Sequence, residues 1–76
     1  MAFIAPPERL KPFPDAERVK PKDRARRWED RRYIYTWDGT HGRIEKFDKT
    51  GRHLGEYHPE TGELTKDAVP GRRIEV

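Results

Sequence analysis

The sequence predicts an α+β fold that is mostly β: a small, highly twisted antiparallel sheet of about five strands, with an extended Pro-rich N-terminal segment and a short helix. Two observations predict it. Five of the seven prolines fall at positions 6, 7, 12, 14 and 21. Proline lacks a backbone donor and restricts the residue before it, so this third of the chain forms neither a long helix nor a sheet core. From Arg32 onward, short aromatic and β-branched runs alternate with polar residues and are divided by Gly-containing turns. That is the pattern of short strands.

Along the chain, residues 1–31 read as a basic, Pro-rich segment packing on the sheet, and 32–76 as the sheet itself, one domain overall. One helical turn is expected over Pro14–Val19, with acidic residues early and Arg18 late. Arg32–Asp38 reads as the first strand. Gly39-Thr40 fits a two-residue hairpin loop, with Gly at the first central position, and Gly42–Asp48 returns. Lys49-Thr50-Gly51 is a three-residue turn. Arg52–Tyr57, Glu63–Lys66 and Arg72–Val76 complete the strands, with turns at 59–62 and at Pro70-Gly71. The core candidates are Trp28, Tyr33, Tyr35, Trp37, Ile44, Phe47, Leu54, Tyr57, Leu64 and Ile74.

At 76 residues with no Cys, the chain has no disulfide to stabilise a small core and no thiolate for metal binding or catalysis. Charged residues make up 41% of it and the net charge is +3, so only a compact aromatic core is available. Eight Lys or Arg lie between Arg18 and Arg32, against Asp23, Glu29 and Asp30. Such a stretch attracts nucleic acid, an anionic membrane or an acidic protein. Eleven of the 17 basic residues are Arg, suited to bidentate phosphate contacts. No segment approaches the ~20 apolar residues of a membrane span. The opening Met-Ala-Phe-Ile-Ala is too short for a signal-peptide core, so delivery to another cell is expected to depend on something outside this chain.

A two-residue loop sets a register. Asp38 faces His41, Thr36 faces Arg43, and Ile34 faces Glu45. Period-two alternation then puts Tyr33, Tyr35, Trp37 and Ile44 on a core face. Thr36, Asp38, His41, Arg43 and Glu45 share the other. Asp38 reaches His41 across the bend, orienting the ring and favouring its charged form. Glu45 is roughly 13 Å from His41 by strand rise, a spacing that side-chain reach shortens to suit an acid and a base on opposite sides of one phosphorus. A solvated turn with an incidental His–Asp pair is the plainer reading of the same residues. His53 and His58 look like turn-flanking residues and carry no assigned chemistry. Three His without close ligand spacing argue against a zinc site, and no phosphate loop, Ser nucleophile elbow or HExxH motif is present.

The run Tyr-Ile-Tyr-Thr-Trp-Asp-Gly-Thr-His-Gly-Arg-Ile-Glu at 33–45 resembles the active-site hairpin of the cytotoxic ribosomal-RNase domain of the cloacin and ribosome-inactivating colicin family. The similarity continues through His53-Leu54-Gly55, Pro59-x-Thr61-Gly62 and Pro70-x-Arg72-x-Ile74, and upstream through Leu10-Lys11-Pro12 and Arg27-Trp28. Arg43 and Phe47 depart from the family pattern, which carries an acidic residue and Tyr there. The resemblance implies a catalytic set of Asp38, His41, Glu45 and Arg72, no metal and no cofactor. Arg43, Thr36, Tyr35 and Arg73 are the candidate substrate contacts.

It also implies an endoribonuclease that cuts small-subunit (16S) ribosomal RNA in the decoding region, leaving a 2′,3′-cyclic phosphate and a 5′-OH. The expected partners are the ribosome and a small acidic immunity protein. No membrane partner is expected, and the free toxin is expected to be a monomer. The site of action is the cytoplasm of a target bacterial cell. Three rival readings stay open: a non-catalytic RNA-binding module, a ribonuclease acting on transfer RNA, and a structural hairpin fragment of a larger toxin shell.

Overall fold

The computed structural model describes residues 2–76. Six strands follow one another: β1 Glu17–Val19, β2 Arg27–Glu29, β3 Tyr33–Asp38, β4 Arg43–Asp48, β5 His53–Tyr57 and β6 Leu64–Asp67. They form one antiparallel sheet in chain order, a meander without crossovers. The architecture is therefore all-β, and the described residues contain no helix.

This corrects the expected α+β class at three places. The helical turn over Pro14–Val19 does not form. Phe13 N–H donates to the Leu10 carbonyl and Ala16 N–H to that of Phe13, closing two tight turns around Pro12 and Pro14. Glu17–Val19 then extends and pairs with β2, Arg18 opposite Trp28. The N-terminal third is also not an extended segment laid on a finished sheet, because it contributes β1 and β2. The expected last strand, Arg72–Val76, is reduced to a single bridge between Arg52 and Arg73.

One face of the sheet holds the core. Trp28, Tyr35, Trp37 and Ile44 pack with Leu10 and Ala16, edged by Phe13, Tyr33 and Tyr57. Full burial of each large apolar side chain contributes about 1.5–3 kcal/mol. Phe13 stacks on Tyr35 with ring centroids 4.8 Å apart. Both indoles find acceptors in the N-terminal chain: Trp28 Nε1–H donates to the Glu8 carbonyl at 3.0 Å and Trp37 Nε1–H to that of Ile4 at 2.7 Å. The Lys46 ammonium sits 3.9 Å from the Tyr33 ring centroid; burial lowers its pKa, opposed by the charge of Asp30. Leu64, expected in the core, is 46% exposed, while Leu10, Ala16 and Ile34 are buried without having been anticipated.

The β3–β4 hairpin departs from expectation in its loop. Asp38 pairs with Arg43, so Gly39–Gly42 forms the bend rather than Gly39-Thr40 alone. Gly42 N–H closes it on the Asp38 carbonyl at 2.8 Å. Gly42, not Gly39, takes the left-handed backbone, with φ of 67°, a conformation that costs Gly little. The true register places Thr36 opposite Glu45 and Ile34 opposite Phe47. Each pairing has slipped by an even number of positions, and an even slip leaves every side chain on its expected face.

Candidate active site

The face opposite the core gathers the functional groups. Register carries Thr36 and Asp38 from β3, Glu45 and Phe47 from β4, and His53 and Glu56 from β5 onto it, with Arg27 from β2 beside Thr36. Asp38, His41, Glu45 and Arg72 line one pocket of about 270 Å³ together with His53 and Glu56. The four residues expected to form the catalytic set are thus brought together.

Asp38 is the hub of the bend. One carboxylate oxygen accepts the backbone amides of Thr40 and His41 at 3.0 and 3.3 Å. The other lies 2.8 Å from His41 Nδ1. Burial works to raise the Asp38 carboxyl. The His41 ring and the two amides outweigh it and hold the group below the usual carboxylate range. His41 itself is 60% exposed at the side chain. Its ring is steered on one side by a charged oxygen and open to substrate on the other.

Glu45 is held differently. It is 7% exposed and His53 is 3% exposed. Val69 N–H donates to His53 Nδ1 at 2.9 Å. An imidazole nitrogen that accepts cannot carry a proton, so the hydrogen resides on Nε2 and is donated to Glu45 Oε1, 2.8 Å away. Arg72 Nη1 meets the same oxygen at 3.4 Å. Both partners occupy Oε1, which leaves Oε2 open as an acceptor. Phe47 underlies the pair: its ring centroid is 5.2 Å from that of His53 and 5.6 Å from the Arg72 guanidinium carbon.

Arg72 reaches the cleft on a C-terminal strap. Val69-Pro70-Gly71-Arg72 is a tight turn closed by Arg72 N–H to the Val69 carbonyl at 3.1 Å, with Gly71 at φ 83°. Pro then Gly is the pair that a type II turn selects. The strap is tied down by His53 N–H to the Arg72 carbonyl at 3.1 Å and Ile74 N–H to that of Gly51 at 2.9 Å. Arg27 completes the anchorage. Its buried guanidinium donates Nη1–H to the Glu75 carbonyl at 2.7 Å and Nε–H to Glu29 at 3.0 Å, and its Nη2 has no partner.

The candidate substrate contacts divide. Thr36 and Arg73 line an adjoining pocket with Asp38, Glu45 and Arg72. Arg43 is half-buried on the same face, its Nη1 turned to the Gly42 carbonyl at 3.3 Å. Tyr35 does not join them. It lies in the core on the far face, its hydroxyl donating to Asp30 Oδ2 at 2.6 Å. His53 and Glu56 are the residues that sequence reasoning passed over. The alternation of β5 was visible, but the irregularity opposite Lys46 and Phe47 that sets its pairing was not. Glu56 is further held by the Thr65 hydroxyl at 2.8 Å. Asp38, His41 and Glu56 present ligand atoms within 4.8 Å of one another, a donor set able to hold a divalent ion that spacing along the chain did not suggest.

A small all-β sheet with a carboxylate–imidazole pair, a second carboxylate and a guanidinium around one cleft defines a compact acid–base domain. The family model described as Cytotoxic matches residues 4–75, and the chain belongs to that family. Among Escherichia coli proteins it is 36% identical to colicin E3 over 69 residues, 86% of this chain and 12% of that protein. It is 43% identical to colicin E6 over 53 residues, 67% of this chain and 10% of the relative. It is 41% identical to cloacin over 51 residues, 63% of this chain and 9% of the relative. The chain thus spans about a tenth of the length of these relatives.

Proposed function

We propose that this chain is the ribonuclease domain of a bacterial toxin and cuts 16S ribosomal RNA in the decoding region. The observation that carries the reading is the convergence of Asp38, His41 and Glu45 from the β3–β4 hairpin and Arg72 from the C-terminal strap on one cleft. RNA carries its own nucleophile. Glu45 Oε2 takes the proton from a ribose 2′-OH, and the 2′-oxygen attacks phosphorus. The bond to the 5′-oxygen breaks as His41, oriented by Asp38, protonates that leaving group. Arg72 faces the phosphoryl oxygens as their charge builds. The products are a 2′,3′-cyclic phosphate and a 5′-OH, with one proton taken and one given. This chemistry asks for no cofactor.

The partners follow from the same reading. The basic surface suits the ribosome and, in the producing cell, a small acidic immunity protein that covers it. The site of action is the cytoplasm of a target bacterium. Intact ribosomes treated with the protein and read by primer extension test the proposal. One discrete stop is expected, and it persists in EDTA. His41→Ala, Glu45→Gln and Arg72→Ala should each lower cleavage by about 100-fold or more with unchanged circular dichroism. Full activity in all three variants would overturn the assignment. A transfer RNA cut in preference to the ribosome would move the substrate.

A further inference from the structure

We propose that a second nucleotide subsite lies beside the cleft at the N-terminal chain, where Phe3 stacks on an unpaired RNA base and Arg24 and Arg26 hold its backbone. The proposal rests on the ribonuclease reading and extends it to substrate beyond the scissile phosphate.

The subsite borders the cleft. A pocket of about 490 Å³ is lined by Thr36, Asp38, Glu45 and Arg72 together with Ala25 and Trp37. Ala25 and Trp37 also line a neighbouring pocket of about 400 Å³, whose remaining walls are Phe3, Pro6, Arg24 and Arg26. Phe3 is 72% exposed. It is nevertheless held in place. Ile4 N–H donates to the Gly39 carbonyl at 2.8 Å, and the Trp37 indole donates to the Ile4 carbonyl at 2.7 Å. The Phe3 ring lies over Gly39, so close that a Cβ there would come within 1.8 Å of it. An aromatic ring is thereby pinned beside the bend that carries Asp38 and His41, with most of its surface open to solvent.

An exposed, anchored ring flanked by guanidinium groups fits one ligand chemistry well. Single-stranded RNA offers bases to stack on aromatic side chains and phosphates for arginine. Asp23, Asp38, Glu45 and Glu75 line the first pocket, with Asp23 Oδ1 occupied by the Ala25 amide at 2.9 Å, while among the described residues no carboxylate lines the second. Stacking tolerates any base, so this subsite contributes grip rather than sequence choice.

The test separates grip from chemistry. A fluorescent RNA spanning the cut, 2′-O-methylated throughout, reports binding by anisotropy without being cleaved. The unmethylated RNA and small ribosomal subunits report KM and kcat. Phe3→Ala and Phe3→Leu should each weaken binding and raise KM about 10-fold, with kcat unchanged, and Phe3→Trp should restore both. Arg24→Ala with Arg26→Ala should lower the slope of log affinity against log salt by about 1.4, at about 0.7 per phosphate contact. Equal affinity for Phe3, Ala and Trp at position 3 would overturn the subsite whatever cleavage shows. So would a Leu variant as good as Phe, since that reports apolar packing alone. Wild-type protein that binds RNA through Phe3 and cuts nothing would keep the subsite and overturn the nuclease.

Discussion

His53 is buried between a backbone amide and a catalytic candidate, and each of its ring nitrogens has one assigned duty. Its effect on catalysis passes through Glu45, so it is a positioning residue. His53→Ala should lower kcat by about 100-fold and leave KM for RNA nearly unchanged. His53→Gln, whose amide can still donate to Glu45 Oε1, should recover part of the loss. An equal fall in kcat for Ala and Gln would point to a purely structural role. Asp30 has a comparable duty on the core side. Its Oδ1 caps the amides of Arg32 and Tyr33, and its Oδ2 accepts the Tyr35 hydroxyl. Burial raises the Tyr35 phenol, and the neighbouring Asp30 charge raises it further. Asp30→Ala strands that hydroxyl in the core and should cost about 1–3 kcal/mol, read by urea denaturation.

The elements differ in how much of them was legible from sequence. In the β3–β4 hairpin, the faces were readable because alternation depends only on parity. The register was not. Two glycines, Gly39 and Gly42, compete to make the bend, and the choice falls to Gly42 through a backbone bond to Asp38. The acid–base side chains survive that error because an even slip conserves faces. β1 and β2 were missed because Pro12, Pro14 and Pro21 argue against sheet, yet each lies outside the three-residue pairing segments. The C-terminal strap reads as a strand by composition but pairs once and then runs under Arg27. Arg27→Met removes that clamp and leaves Glu29 without a guanidinium partner. Glu29 is partly exposed and keeps Lys49, so the cost is that of the unpaired Glu75 carbonyl, about 1–3 kcal/mol. Exchange of the His53 and Ile74 amides, which hold the strap, should quicken ahead of the β3–β4 amides.

At the scale of the whole molecule, several carboxylates act together on acid stability. In Asp30 and Asp38 burial pushes the carboxyl up, but hydrogen bonds win: from the Tyr35 hydroxyl and nearby amides at Asp30, and from His41 and the loop amides at Asp38. Asp48 is lowered first by the Thr50 hydroxyl and then by the Arg52 amide. A depressed carboxyl stabilises the fold fully above its unfolded value, near 3.8 for Asp, and that contribution is lost as pH falls through the folded value. Thermal midpoints should hold level from neutrality down to about pH 5 and then drop. Asp30→Asn with Asp48→Asn should flatten the acid limb. An acid limb unchanged by both substitutions would remove these carboxylates as its cause.

The meander has a mechanical corollary. Each strand borders only its neighbours along the chain, and no cross-link joins distant segments. Traction on the N-terminal end first breaks the bonds of Ile4 to Gly39 and Trp37 and of Glu8 to Trp28, and then meets the strand hydrogen bonds a pair at a time, as a zipper does. Peeling away β2 takes Arg27 and its bond to the Glu75 carbonyl with it, while the His53–Arg72 and Ile74–Gly51 backbone bonds still hold the strap. In an optical trap, opening from that end should proceed at low force and in steps, with the Arg27 clamp lost before the β3–β4 hairpin opens.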